Sequence, residues 1–122
     1  MDPVHEFDGA TLTVPLTDDL LPGAVNDTDI DARIEGLLAA TQARRLLLDM
    51  AAVRNLRSMG IAALIQVHTA CRSRGVPLAL CGLDPDVARV FRATALTRVF
   101  PVYASANEAR AASRWETGSD GG

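Results

Sequence analysis

Leu46-Leu47-Leu48-Asp49, followed after a short connection by Ser58-Met59-Gly60-Ile61-Ala62-Ala63-Leu64-Ile65, decides the fold. Three consecutive leucines without polar alternation suit a strand covered on both faces, and Asp49 is expected to close it. Beyond the connection, Ile61, Leu64, Ile65 and His68 share one side of a helix expected from about Ser58 to Arg74, ending before Gly75 and Pro77. A buried strand feeding a helix is the unit from which parallel sheets are built.

The same switching of period continues outward in both directions. Upstream, Leu12, Val14 and Leu16 alternate over residues 11–16 as in a half-buried strand, and Pro15 on the opposite face suggests an edge position. A shorter extended piece is expected near Val4–Phe7. The stretch from Thr17 to Thr28, with Pro22-Gly23 and Asn26-Asp27, reads as a loop, and Ile30, Ile34, Leu37 and Leu38 then take helical spacing from Asp29 to Thr41. Downstream, residues 76–81 form an apolar strand. Asp84-Pro85 caps a helix over 85–95 that carries Val87, Val90 and Phe91, and a short strand follows at Val99–Tyr103. Ser105 and Glu108 have capping-box spacing ahead of a last helix containing Ala109, Ala111 and Ala112. The expectation is an α/β fold: a mostly parallel sheet of four to five strands packed with about four helices. It forms one domain over residues 1–115, and residues 116–122 read as a disordered tail.

Composition narrows the chemistry. The 122 residues, 48% hydrophobic and 22% charged, suit one globular domain with its own core. No window approaches a membrane span, the start lacks the pattern of an export signal, and a cytoplasmic protein is expected. Cys71 and Cys81 accordingly read as reduced core thiols. All twelve basic residues are arginine. Without a lysine the chain has no GxxxxGK phosphate loop, no Schiff-base amine and no kinase strand lysine. Charge is unevenly spread: residues 1–36 hold nine acids against Arg33 alone, a balance of -8, and the remainder balances to +5 within a net charge of -3. An acidic total and five aromatics, with no basic run interleaved with rings, disfavour direct nucleic-acid binding.

Loops at the carboxyl ends of parallel strands are where function collects, and Asp49–Gly60 is such a loop. It delivers Ser58 to the neighbourhood of the N-cap of the longest helix. Two readings stand side by side: a capping serine with no other duty, or a hydroxyl open to phosphorylation, where free N–H groups and the helix dipole would tolerate a phosphate.

Leu46–Val53, Ser58–Leu64, Leu78–Leu83 and Val90–Tyr103 together resemble a STAS domain of the bacterial anti-sigma factor antagonist type, over about residues 44–112. The resemblance implies a STAS-like fold and a switch that works by exchanging partners. Such an antagonist binds an anti-sigma factor that is itself a serine kinase of the GHKL ATPase class, and thereby frees a sigma factor. Phosphorylation of a serine at the start of the second helix ends that binding, and a PP2C-type phosphatase restores it. The matching position is Ser58, and the partner surface implied around it comprises Arg54, Arg57, Ser58, Met59, Gly60 and Ile61. The protein would be the kinase's substrate, with no catalytic group, metal or cofactor of its own. The family motif reads Asp-Ser-Ser/Thr-Gly, whereas here Arg57 stands for the Asp and Met59 for the second Ser or Thr. Arg57 would pair with a phosphate rather than repel it. Either Ser58 is phosphorylated with altered partner release, or the site has drifted and binding is constitutive. An accessory subunit of another machine, such as a lipid-transport ATPase, is the alternative.

Other groups read as structural. His68, Cys71 and Cys81 have no metal-ligand spacing, and neither His5 nor His68 sits where a Ser–His–acid triad would be built. Asp49 is expected to shape its loop by accepting backbone N–H bonds. Arg89, Arg92 and Arg98 read as a solvated face, or else as a partner-facing patch.

Overall fold

The computed structural model describes residues 5–18 and 30–115. Five strands, β1 (Glu6–Phe7), β2 (Thr11–Thr17), β3 (Arg45–Ala52), β4 (Leu78–Cys81) and β5 (Val102–Tyr103), lie in one sheet in chain order. β1 runs antiparallel to β2, and every later pairing is parallel. Between them run α1 (Ile30–Thr41), α2 (Ser58–Arg74) and α3 (Pro85–Ala93), and α4 (Ala106–Ala111) follows β5. This is the architecture expected from the alternating periods. The bounds 1–115 and the tail 116–122 are a different matter, because residues 1–4 and 116–122 lie outside the described residues, as do Val4 and most of the loop assigned to 17–28.

Parallel neighbours need crossovers of one hand, so strands added successively in one direction place their connecting helices on one face. Register shows the result. Leu12, Leu46 and Leu78 are aligned partners, as are Val14, Leu48 and Leu80. All join Ile34, Leu37, Leu64, Val67, Phe91 and Phe100 in one buried cluster on the side of α1–α3. The opposite face carries Leu47, Ala79 and Cys81 beneath Ala109 of α4, with Tyr103 and Trp115 packed at the margin.

Several boundaries differ from expectation. β2 is an interior strand: β1 lies outside it, with described pairing only at Leu12 and Thr13, and Pro15 lies past that pairing where the β2–β3 register slips before Thr17. Nor is β2 half-buried, since Thr11 and Thr13 on its second face are buried as well. Asp49 does not close β3, because it aligns with Cys81 of β4 and the strand runs on to Ala52. β4 starts at Leu78 rather than residue 76, because Val76 still donates to the Cys71 carbonyl (2.8 Å) in the turn made by left-handed Gly75 (φ 71°). α3 stops at Ala93. Ala95 takes φ 60°, a 3₁₀ turn spans Leu96–Arg98, and β5 shrinks to Val102–Tyr103. The caps of α3 and α4 match the sequence: Asp84 accepts from the Asp86 N–H with Pro85 in the first turn, and Ser105 accepts from the Glu108 N–H.

Six residues are too few for a helix to persist on its own, and α4 is held by Arg45. The Arg45 guanidinium donates Nε to Thr11 Oγ1 (2.8 Å), Nη1 to the Ala112 carbonyl (2.7 Å) and Nη2 to the Arg110 carbonyl (2.8 Å), and it lies 4.3 Å from the centre of the Trp115 ring. Trp115 Nε1 in turn donates to the Ala109 carbonyl at 2.8 Å. One planar cation thus ties the first long strand to the end of the last helix, a fork that a lysine would not reproduce. Arg45→Ala is expected to lower unfolding free energy by about 2–3 kcal/mol, and Arg45→Lys to recover less than half of that, both read by urea denaturation.

Cys71 and Cys81 are buried free thiols, and their burial pushes each from 9.0 up to about 11. An acid whose pKa is raised by folding favours the native state fully below its unfolded value and loses that contribution as pH rises. Stability is therefore expected to decline between pH 9 and pH 11. The decline should be smaller in Cys71→Ala, measured as the change in urea midpoint with pH relative to wild type.

Candidate functional site

The carboxyl ends of β2 and β3 meet around the segment that leads into α2. Val53 is fully buried and donates its N–H to the Met50 carbonyl at 3.0 Å, and Leu56 packs against the main core. Between these two anchors the chain arches outward, and Asp18 supports the arch. Its carboxylate accepts from the Arg54 N–H (3.2 and 3.4 Å) and from the Asn55 N–H (3.2 Å). Asp49 Oδ1 accepts from the Ala51 N–H at 3.0 Å, a backbone bond of the kind expected of it but made within β3 rather than in the loop. Gly82, at φ 70°, lies so close that a Cβ there would stand 3.3 Å from Asp49 Oδ1 and 3.4 Å from Ala51 Cβ. The strand-end loops are thus fitted to one another.

α2 begins at Ser58, and the cap is Arg57, extended at φ -101° and ψ 173°, with no side-chain capping bond. Ser58 is therefore the first helical residue and not the cap, which removes the reading in which its hydroxyl serves the helix. The hydroxyl is exposed and makes no hydrogen bond to a described residue. The Ile61 N–H is the first to close a turn, onto the Arg57 carbonyl at 2.9 Å. The N–H groups before it have no partner within the helix and point along its axis toward the serine end. The first turn holds no acid.

Of the residues singled out in the sequence, Arg54, Arg57, Ser58 and Met59 are exposed, Ile61 is half-buried and Gly60 is buried. Neither Arg54 nor Arg57 forms an ion pair with a described residue. Ile65 departs from expectation. Instead of facing the core it is 42% exposed, and the buried side of α2 is Gly60, Ala63, Leu64, Val67 and Cys71. Sequence reading also missed Asp18, whose partners lie 36 and 37 residues away and leave no local signal.

His68 is half-buried with its ring edge-on to Phe100, centroids 5.3 Å apart. No cluster of metal-ligating side chains occurs among the described residues. Arg89 pairs with Asp86 at 3.4 Å on the surface, and Arg92 and Arg98 are exposed. No helix among the described residues is long and apolar enough to cross a membrane. Asp18→Ala is expected to cost about 1 kcal/mol and to speed hydrogen exchange at the Arg54 and Asn55 amides several-fold while leaving β4 amides unchanged, as read by exchange NMR.

Comparison with known proteins agrees with this geometry. Similar solved structures include the Thermotoga maritima protein TM1081, described as an anti-sigma factor antagonist, with 17% identity, 88% of this chain and 90% of that one covered, and a TM-score of 0.71. RsbS S58E of Moorella thermoacetica is 17% identical over 87% of this chain and 91% of its own, with a TM-score of 0.68. A sulfate transporter family protein of Wolinella succinogenes is 18% identical over 84% and 82%, with a TM-score of 0.65. At such identities the likeness is one of fold. The family model of the STAS domain matches residues 4–109, nearly the whole chain, and the chain belongs to the STAS domain family.

Proposed function

We propose that this STAS domain is an anti-sigma factor antagonist, a partner-switching protein that binds an anti-sigma factor kinase of the GHKL type and releases a sigma factor. The observation that carries the reading is the Ser58 hydroxyl, exposed at the first residue of α2 and without a hydrogen bond to any described residue, where a kinase can reach it without unfolding anything. In this reading the chain is a substrate and a ligand rather than a catalyst, and a PP2C-type phosphatase resets it.

A phosphate on Ser58 adds about -1.5 to -2 charges and three acceptor oxygens at a helix start that favours anions. Arg57, one residue earlier and exposed, would pair with it and cancel part of the new charge. Release of the partner would then be graded rather than complete. The similarity to the Wolinella succinogenes protein favours a second reading, in which the same helix start docks a transporter component and is never phosphorylated. Incubation with a cognate GHKL-type anti-sigma kinase and ATP separates the two. Intact mass is expected to show one added phosphate on wild type and none on Ser58→Ala, and phosphorylated Arg57→Asp to release the kinase more completely than phosphorylated wild type. A wild-type chain that gains no phosphate overturns the first reading.

A further inference from the structure

At the amino ends of β4 and β5, the opposite end of the sheet from Ser58, the last turns of α2 border a cleft of about 220 Å³. Val76, Pro77, Leu78, Val99, Pro101 and Trp115 give it an apolar lining. Trp115 offers it carbon surface, because its Nε1 is spent on the Ala109 carbonyl. Two polar side chains enter from α2, His68 and Arg72, which are four residues apart and so share one side of the helix. The volume falls short of the ~300–1,000 Å³ that drug-sized ligands occupy. It suits a single ring or a short branched chain.

Both polar groups are unengaged. Neither the His68 ring nor the Arg72 guanidinium has a hydrogen bond or ion pair to a described residue. No buried side-chain nitrogen lacks a partner among the described residues, so the imidazole nitrogens of His68 are open to water. The ring itself is steadied by fully buried Phe100, which it meets edge-on with centroids 5.3 Å apart. Residues 68–78 and 99–101 supply all of the lining except Trp115, and they contain no Asp or Glu. A cation and a ring N–H thus face an apolar space with no anion to meet them. Nor would bare helix carbonyls repel an anion there, since the Arg72 and Cys71 carbonyls accept from the Gly75 and Val76 N–H groups at 3.1 and 2.8 Å. A cleft of about 290 Å³ beside Arg110 lacks this bias, because Glu6 and Asp8 flank it and Arg110 already donates to Thr13 Oγ1.

We propose that this cleft binds a small carboxylate with a flat or branched apolar body. The Arg72 guanidinium and a His68 N–H take the carboxylate, and the body lies against Trp115, Pro77 and Pro101. A guanidinium fork matches the two oxygens of a carboxylate, and one cation answers one negative charge. The apolar wall adds affinity for a ligand larger than acetate. The site stands apart from the proposed phosphorylation: His68 is ten residues beyond Ser58, ~15 Å along the helix. A bound ligand bridges α2, the start of β4 and the segment that Arg45 holds through Trp115.

The test titrates the isotope-labelled full chain with phenylacetate and with isovalerate, one flat and one branched carboxylate. At least one is expected to give saturable shifts at the amides of His68 to Val76 and at the Trp115 indole, and to raise the thermal midpoint. Acetate, which lacks the apolar body, and phenylacetamide, which lacks the charge, are expected to bind about tenfold more weakly or worse. Arg72→Gln and His68→Phe should each weaken carboxylate binding about tenfold. The second keeps an aromatic ring against Phe100, and thermal melting without ligand checks that both variants fold. Phenylacetamide binding as well as phenylacetate, shifts centred on another face, no saturable shift with either carboxylate, or variants that bind like wild type overturn the proposal. Phenyl phosphate binding more tightly than phenylacetate also overturns it, since the cleft then selects phosphomonoesters. So does binding that appears only in Glu116→Gln, since the cleft then takes the chain's own carboxylate.

Discussion

Everything in this molecule depends on burying β3 from both sides. Leu46, Leu48 and Met50 face the helices of one side and Leu47 faces α4 on the other, all at 0% exposure. At roughly 1.5–3 kcal/mol for each fully buried leucine or methionine, this one strand supplies a large share of the driving force. It can do so only if both faces are roofed. Three crossover helices roof the first face as a consequence of the sheet's handedness. The second has only the short α4, and that is why a charged residue at the edge of the same strand, Arg45, is committed to holding the cover down.

The site follows from the same constraint. Parallel strands deliver all their carboxyl ends to one side, where Gly82 lies against Asp49 and Asp18 reaches the Arg54 and Asn55 amides. There two carboxylates are spent on backbone N–H groups rather than on chemistry. The loop so fixed holds out the first turn of α2, with Arg54, Arg57, Ser58 and Met59 exposed. Rigid presentation is what a surface needs when it is to be read by another protein.

The fold was legible because apolar periods of two and of 3.6 alternate cleanly, and because Asp84-Pro85 and Ser105 mark helix starts with side chains that do cap them. What the sequence concealed has particular causes. On α2 the stripe Ile61-Leu64-Ile65-His68 carries two isoleucines and a leucine and is expected inward, yet the buried stripe is Gly60-Ala63-Leu64-Val67-Cys71. Small residues there permit close approach of neighbouring elements, and a count of large apolar side chains passes over them. Asp49 resembles a strand terminator by type, but its register with Cys81 carries the strand onward. Ser58 resembles a cap by type, but the extended residue before the helix is Arg57. The contacts of Asp18 with Arg54, and of Arg45 with Trp115, join residues far apart in the chain, and no window of sequence contains both members.

Strand order identical to chain order has a consequence for how the polypeptide acquires its shape on the ribosome. Each βα unit adds to the edge left by the unit before it, so no strand must be inserted between two that are already paired. Assembly can therefore keep pace with synthesis, and the growing border is covered by each next strand as it arrives. At completion that border is the two-residue β5, too short a template to recruit a foreign strand.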